Sequence, residues 1–327
     1  MKSLLRLAIV IAGFLSAPVA HTEALSLAYF MGPNHPMNRA VFTPFAENLG
    51  EISGGALEVV QYPGGALNSK PPKQYSILLD SVADISFILP GYTADLFPQT
   101  NLVSLPGVCE SAIACTQALQ NARSALEREY DAKVLALWAN SPPVLLTRDV
   151  AVRSIEDLDG LIIRVTSKQD VPFVEALGAT AVAQPVTVVN QNLANGVIDG
   201  VLIDPSGIRS FQLQEAANYV TTWFPGSGAA FALLMNRQVY DQMSDAEKAW
   251  VDAASEPALS LNGGAVFDRA ASGGLALASE SGLEVITLAP EEVARFNAAV
   301  APVLQDMMAR DVGGTTVGAA LDRMKGQ

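Results

Sequence analysis

Ser154-Ile155-Glu156-Asp157-Leu158-Asp159-Gly160-Leu161-Ile162-Ile163-Arg164-Val165 is the stretch on which the reading of this chain turns. Ser154 is an N-cap with Asp157 at the third position, which together open a one-turn helix. Gly160 suits the left-handed residue that closes such a turn. Leu161 to Val165 is then a short apolar run of the buried-strand type. Its one charge, Arg164, stands near the strand end.

Downstream, a helix over 170–177 ends at Gly178, a second helix covers 186–195, and Gly200-Val201-Leu202-Ile203 and Ala232-Leu233-Leu234-Met235 are strands. Upstream, 133–138 is an apolar strand. Nearer the start, a strand over 25–30 stops at Gly32-Pro33-Asn34-His35-Pro36. A helix over 38–52 follows, with Phe42, Phe45, Leu49 and Ile52 on one face. A strand over 57–62, a helix through Gln74, Ile77 and Leu78, and a strand over 84–88 complete a β-α-β-α-β order. That order predicts an α/β fold with helices on the faces of open sheets. Ser244-Asp245-Ala246-Glu247 is a capping box, predicting a long helical stretch to about 280, interrupted at Gly263-Gly264 and Gly273-Gly274. Pro290 opens the last strong helix.

The chain has 327 residues, half of them hydrophobic, enough for two lobes rather than one. Its net charge of −13 would repel phosphate backbones and argues against a nucleic-acid partner. Two histidines and two cysteines leave little material for a zinc site. No Walker loop or HExxH occurs, and Gly226-Ser227-Gly228 lacks the pattern of a nucleophile elbow or dinucleotide loop. We therefore expect a binding protein with no catalytic residues, metal or cofactor, and keep an exported hydrolase using Ser227 as the rival. Lys2 and Arg6, then apolar 7–15, then Ser16, Ala17 and Ala20 have the order of an export signal over 1–20. In an oxidising space, Cys109 and Cys115 are either a local disulfide or two buried thiols.

Three runs carry a resemblance: Tyr62-Pro63-Gly64-Gly65-Ala66-Leu67, Asp157-Leu158 through Arg164, and Leu193-Ala194-Asn195-Gly196-Val197-Ile198-Asp199-Gly200. In this order, behind an export signal, the chain resembles the periplasmic solute-binding proteins of TRAP transporters, from about residue 25 to the C-terminal helix. The resemblance implies a two-lobed periplasmic-binding-protein fold with a hinge and a long helix spanning both lobes. We divide it as lobe I over 21–141, lobe II over 142–228, a return to lobe I over 229–266, and lobe II again over 267–327. It implies a periplasmic location, a small organic acid as ligand, and integral membrane subunits as partners. A sensing role for the same fold is equally consistent with the sequence.

In that family the arginine of the second run clamps the ligand carboxylate, which here is Arg164. A guanidinium fork matches a carboxylate in plane and spacing. Sugar-acid receptors place a second arginine about twenty residues earlier, where this chain has Asn140 to Leu145. They place an amide where Ile203 stands. Tyr92, Trp138 and Phe231 are candidate walls, though Tyr92 and Trp138 also suit a core. Leu89, Val186 and Ile203 complete the apolar lining, and Asn34 lies on the first strand-helix loop. Asp204 either caps the turn at Asp204-Pro205 or holds a ligand amine. One cation among apolar walls favours a monocarboxylate over a dicarboxylate or a sialic acid.

Overall fold

Eleven strands form two separate sheets in the computed structural model, which describes residues 22–326. The expected leader over 1–20 lies outside the described residues. The first sheet holds β1 (Glu23–Ala28), β2 (Leu57–Tyr62), β3 (Ile85–Ile88) and β4 (Ala132–Ala139). The second holds β5 (Val144–Thr147), β6 (Ile162–Val165), β7 (Thr180–Ala183), β8 (Gly200–Ile203) and β9 (Tyr219–Thr221). The chain then returns to the first sheet with β10 (Ala230–Asn236) and ends its strands in the second with β11 (Glu284–Ile286). The sheet orders are β2-β1-β3-β10-β4 and β11-β9-β5-β8-β6-β7. β10 runs antiparallel between β3 and β4, and β5 runs antiparallel to β8 and β9. The architecture is thus the expected two-lobed α/β fold.

The local signals around β6 act as expected. Ser154 and Asp157 form a reciprocal capping box on the short helix Ile155–Leu158, and Gly160 takes a φ of +75°. Ser244 and Glu247 form another. The long helix differs from expectation. It breaks at Ser255 and Glu256, because Pro257 has no N–H to give and its ring would meet the preceding turn. The part that spans both sheets is the 24-residue helix Pro257–Glu280, about 36 Å long. Its glycines do not interrupt it. A Cβ on Gly263 would lie 2.8 Å from the Trp138 ring beside the first sheet, and one on Gly274 would lie 1.8 Å from the Pro205 carbonyl oxygen beside the second. These positions let one helix press against both lobes.

Two further findings refine the expectations. Cys109 and Cys115 form a disulfide with a Cα–Cα distance of 5.1 Å, resolving the open alternative. A loop this short is expected to contribute roughly 2 kcal/mol on the chain-entropy account. Replacing both cysteines by serine should lower stability by that amount in chemical denaturation, and no change would show that the loop is held by packing alone. The C-terminal segment does not stay with lobe II as the division at 267–327 supposed. Helix Val317–Met324 turns its buried Val317, Ala320, Leu321 and Met324 toward helix Ala112–Asn121 beside the first sheet, which supplies the apolar partner that face requires.

Candidate ligand-binding site

Three parallel strands, β7, β6 and β8, end side by side, and their C-terminal ends converge on one guanidinium. Arg164 sits on β6 opposite Val182 of β7 and Val201 of β8. It is 1% exposed. Its Nε and Nη2 both donate to the Gln184 carbonyl oxygen, at 2.9 and 2.7 Å. Its Nη1 donates to Thr166 Oγ1 at 3.1 Å and to the Leu202 carbonyl oxygen at 3.3 Å. Four of the five N–H groups of a guanidinium are therefore engaged by neighbours, leaving one on Nη2. Among the described residues no carboxylate oxygen lies within 4 Å of it. Burial pushes its pKa down, opposed by Tyr92 and Asp170 nearby.

The first sheet supplies the facing wall by the same rule. β1 leads into Phe30, Met31 and His35, β3 into Leu89 and Tyr92, and β4 into Asn140, while β10 begins at the same end with Phe231. Strand ends of open α/β sheets are where ligands bind, because loops there diverge and leave a crevice. Between the walls is a cavity. Phe211 and Phe267 close it from the helical side, and Arg164 is its one Arg or Lys. The Tyr92 hydroxyl oxygen accepts the Val186 N–H at 2.9 Å, so its own proton is available for another partner. Burial pushes the Tyr92 pKa up, so the proton stays on.

Of the residues expected from the sequence, Arg164, Tyr92, Leu89, Val186, Ile203, Asp204 and Phe231 line this cavity. Trp138 does not. It is fully buried behind Phe231, with ring centroids 5.7 Å apart, in the space that Gly263 leaves open. Asn34 lies instead in an outer groove. Asp204 acts as a cap: Oδ1 accepts the Ser206 N–H at 3.0 Å and Oδ2 accepts from Asn140 Nδ2 at 2.9 Å. Ser227 is structural, its Oγ donating to the Cys109 carbonyl oxygen at 3.0 Å and accepting the Cys109 N–H at 3.2 Å. Phe30, Met31, Met37, Thr166, Phe211 and Phe267 were not expected. The strand-end rule would have found Phe30, Met31 and Thr166. Nothing in the local pattern marks Phe211 or Phe267, whose helices come to the cavity through tertiary packing.

Asp170 lies half-buried near Arg164, and desolvation pushes its pKa up to about 6 despite the Ser167 N–H and the charge of Arg164. A carboxylate arriving at Arg164 offsets the cation that favours ionised Asp170, so Asp170 holds its proton more firmly in the complex. More protons bound in the complex means affinity increases as pH falls. Affinity for a carboxylate should therefore improve from about pH 7.5 to 6, a window in which ordinary carboxylic acids remain ionised. Calorimetry in buffers of unlike ionisation heat should register proton uptake; equal heats and a flat Kd would refute the coupling.

Residues 27–311 match DctP, the bacterial extracellular solute-binding protein, family 7. Among solved structures, the chain is similar to a marine-metagenome TRAP solute-binding protein from an unidentified microbe, specific for aromatic acid ligands and in complex with metahydroxyphenylacetate. Identity is 29%, over 92% of this chain and 98% of that one, with a TM-score of 0.84. It is also similar to a TRAP solute-binding protein of Rhodoferax ferrireducens T118 with copurified benzoate: 25% identity, 93% and 97% coverage, TM-score 0.85. A solute-binding protein of Albidiferax ferrireducens is 26% identical over 208 residues, and the matched stretch spans 60% of that relative and 61% of this chain. These are binding proteins rather than enzymes. With the match running through both sheets, the chain belongs to the bacterial extracellular solute-binding proteins, family 7.

Proposed function

We propose that this protein is an extracytoplasmic receptor that captures a small monocarboxylate with an aromatic body and presents it to the integral membrane subunits of a TRAP transporter. The observation that carries the reading is a buried guanidinium with no carboxylate partner, aimed at an aromatic-walled cavity. A desolvated cation is costly until an anion joins it. The ligand carboxylate would accept from the remaining Nη2 N–H of Arg164 and from the Tyr92 hydroxyl, because the Nε–Nη2 edge of the fork is engaged by Gln184. A phenyl-sized group buries about 150 Å², which at about 25 cal/mol per Å² contributes roughly 4 kcal/mol. A second carboxylate would find no cation there and cost several kcal/mol. The aromatic acids bound by the two similar structures support this ligand class. The amine or zwitterion reading is less favoured, since both Asp204 oxygens already accept hydrogen bonds. Binding of the ligand to both walls would favour the closed arrangement of the lobes, which the membrane subunits would recognise. The leader expected over 1–20 supports a periplasmic location.

A thermal-shift screen of the mature chain against benzoate, 3-hydroxybenzoate, succinate and sialic acid tests the proposal. Aromatic monocarboxylates should raise the melting temperature, with about 2.7 kcal/mol gained at 100 times Kd. Stabilisation by succinate or sialic acid with the aromatic acids inert would overturn it.

A further inference from the structure

Outside the cavity runs a groove lined by Arg39, Arg209 and Arg269. Each comes from a different element: the helical segment after β1, the short helix Ser206–Ser210, and the long helix Pro257–Glu280. All three side chains are exposed. Among the described residues, the arginines whose guanidinium makes no ion pair and no hydrogen bond are Arg39, Arg209, Arg269 and Arg310. Three of those four line this one groove, on a chain of net charge −13. Elsewhere on the surface, arginines such as Arg123, Arg148, Arg153 and Arg295 are neutralised by carboxylates. The groove and the cavity share Met31, His35 and Phe211, so one opens beside the other.

We infer that Arg39, Arg209 and Arg269 form a capture vestibule, an encounter site for small carboxylates on their way to Arg164. The inference rests on the anionic-ligand reading above. A strongly acidic protein repels its own anionic ligand at a distance, and a local cluster of uncompensated guanidiniums reverses the sign of the field along the approach. Unpaired arginines are the form that such a device requires, because an ion-paired arginine presents no net field. The shared residues favour the ligand over an acidic protein surface as the anion served. His35 adds no charge there: burial pushes its pKa down to about 4. Arg164 is then reserved for holding the bound carboxylate, and the vestibule sets the rate at which it arrives.

Stopped-flow kinetics of benzoate binding to the mature chain, at about 0.01 and 0.15 M salt, test this, since screening shortens from ~30 Å to ~8 Å between them. The variant combining Arg39→Gln, Arg209→Gln and Arg269→Gln should bind about tenfold more slowly at low salt, lose most of the salt dependence, and keep koff within twofold. Arg310→Gln, an equally unpaired arginine elsewhere, should leave kon unchanged and serves as the control. An unaltered kon in the triple variant, or a loss that falls on koff instead, overturns the vestibule while leaving the receptor reading intact. If the wild-type chain binds neither benzoate nor any other carboxylate, the receptor reading fails and the vestibule falls with it.

Discussion

Arg164→Met is expected to weaken binding of an aromatic monocarboxylate by at least about 30-fold. Truncating one member of a buried, hydrogen-bonded charge pair costs about 2–5 kcal/mol, or roughly 30-fold to several thousand-fold in Kd. Arg164→Lys should also bind at least about tenfold more weakly. A lysine ammonium cannot reach Gln184, Thr166 and Leu202 together and still offer a donor in the direction of Nη2. The arginine also ties the ends of β6, β7 and β8, so the methionine variant should unfold somewhat more easily without ligand. Calorimetry measures affinity and circular dichroism confirms that the chain is folded. A folded Arg164→Met protein that binds benzoate within threefold of wild type would show that the carboxylate is held elsewhere.

Two adjacent glycines in the long helix are expected to respond in opposite directions to the same substitution. Gly274→Ala would place a methyl group 1.8 Å from the Pro205 carbonyl oxygen. Backbone lies on both sides of that contact, so helix and loop must separate, and overpacking of this kind costs about 1–3 kcal/mol or more. Pro205 follows Asp204 in the cavity wall, so binding should weaken as well. Gly273→Ala meets nothing within 4 Å and should stabilise the helix by about 0.5–1 kcal/mol. Thermal and chemical denaturation of both variants would measure the pair. Equal effects of the two substitutions would mean that the helix does not bear on the second lobe as closely as the structure has it.

Much of the fold was legible because its signals are local. The alternation of strands and helices, the capping boxes at Ser154 and Ser244, and Gly160 closing its turn each depend on residues within a few positions of one another. Four short strands escaped. β9 and β11 have three residues each, and β5 and β7 have four. The glycine pairs of the long helix read as breaks by propensity, yet Gly263 and Gly274 are contact points whose partners, Trp138 and Pro205, lie far away in sequence.

The site divides in the same way. A lone arginine at the end of an apolar strand was visible in the sequence, as were the missing second arginine and the apolar neighbours Leu89 and Ile203. The sequence by itself therefore determined the α/β class, which follows from residue type and short-range order, while the choice of Arg164 as the proposed ligand clamp came from the family resemblance. Only the tertiary structure decided that, among the described residues, no carboxylate forms an ion pair with Arg164, that Gln184 engages one edge of its fork, and that Trp138 belongs to the core while Phe211 and Phe267 close the cavity. Those outcomes depend on which of many distant side chains packing brings within a few ångströms, and no spacing along the chain encodes that choice.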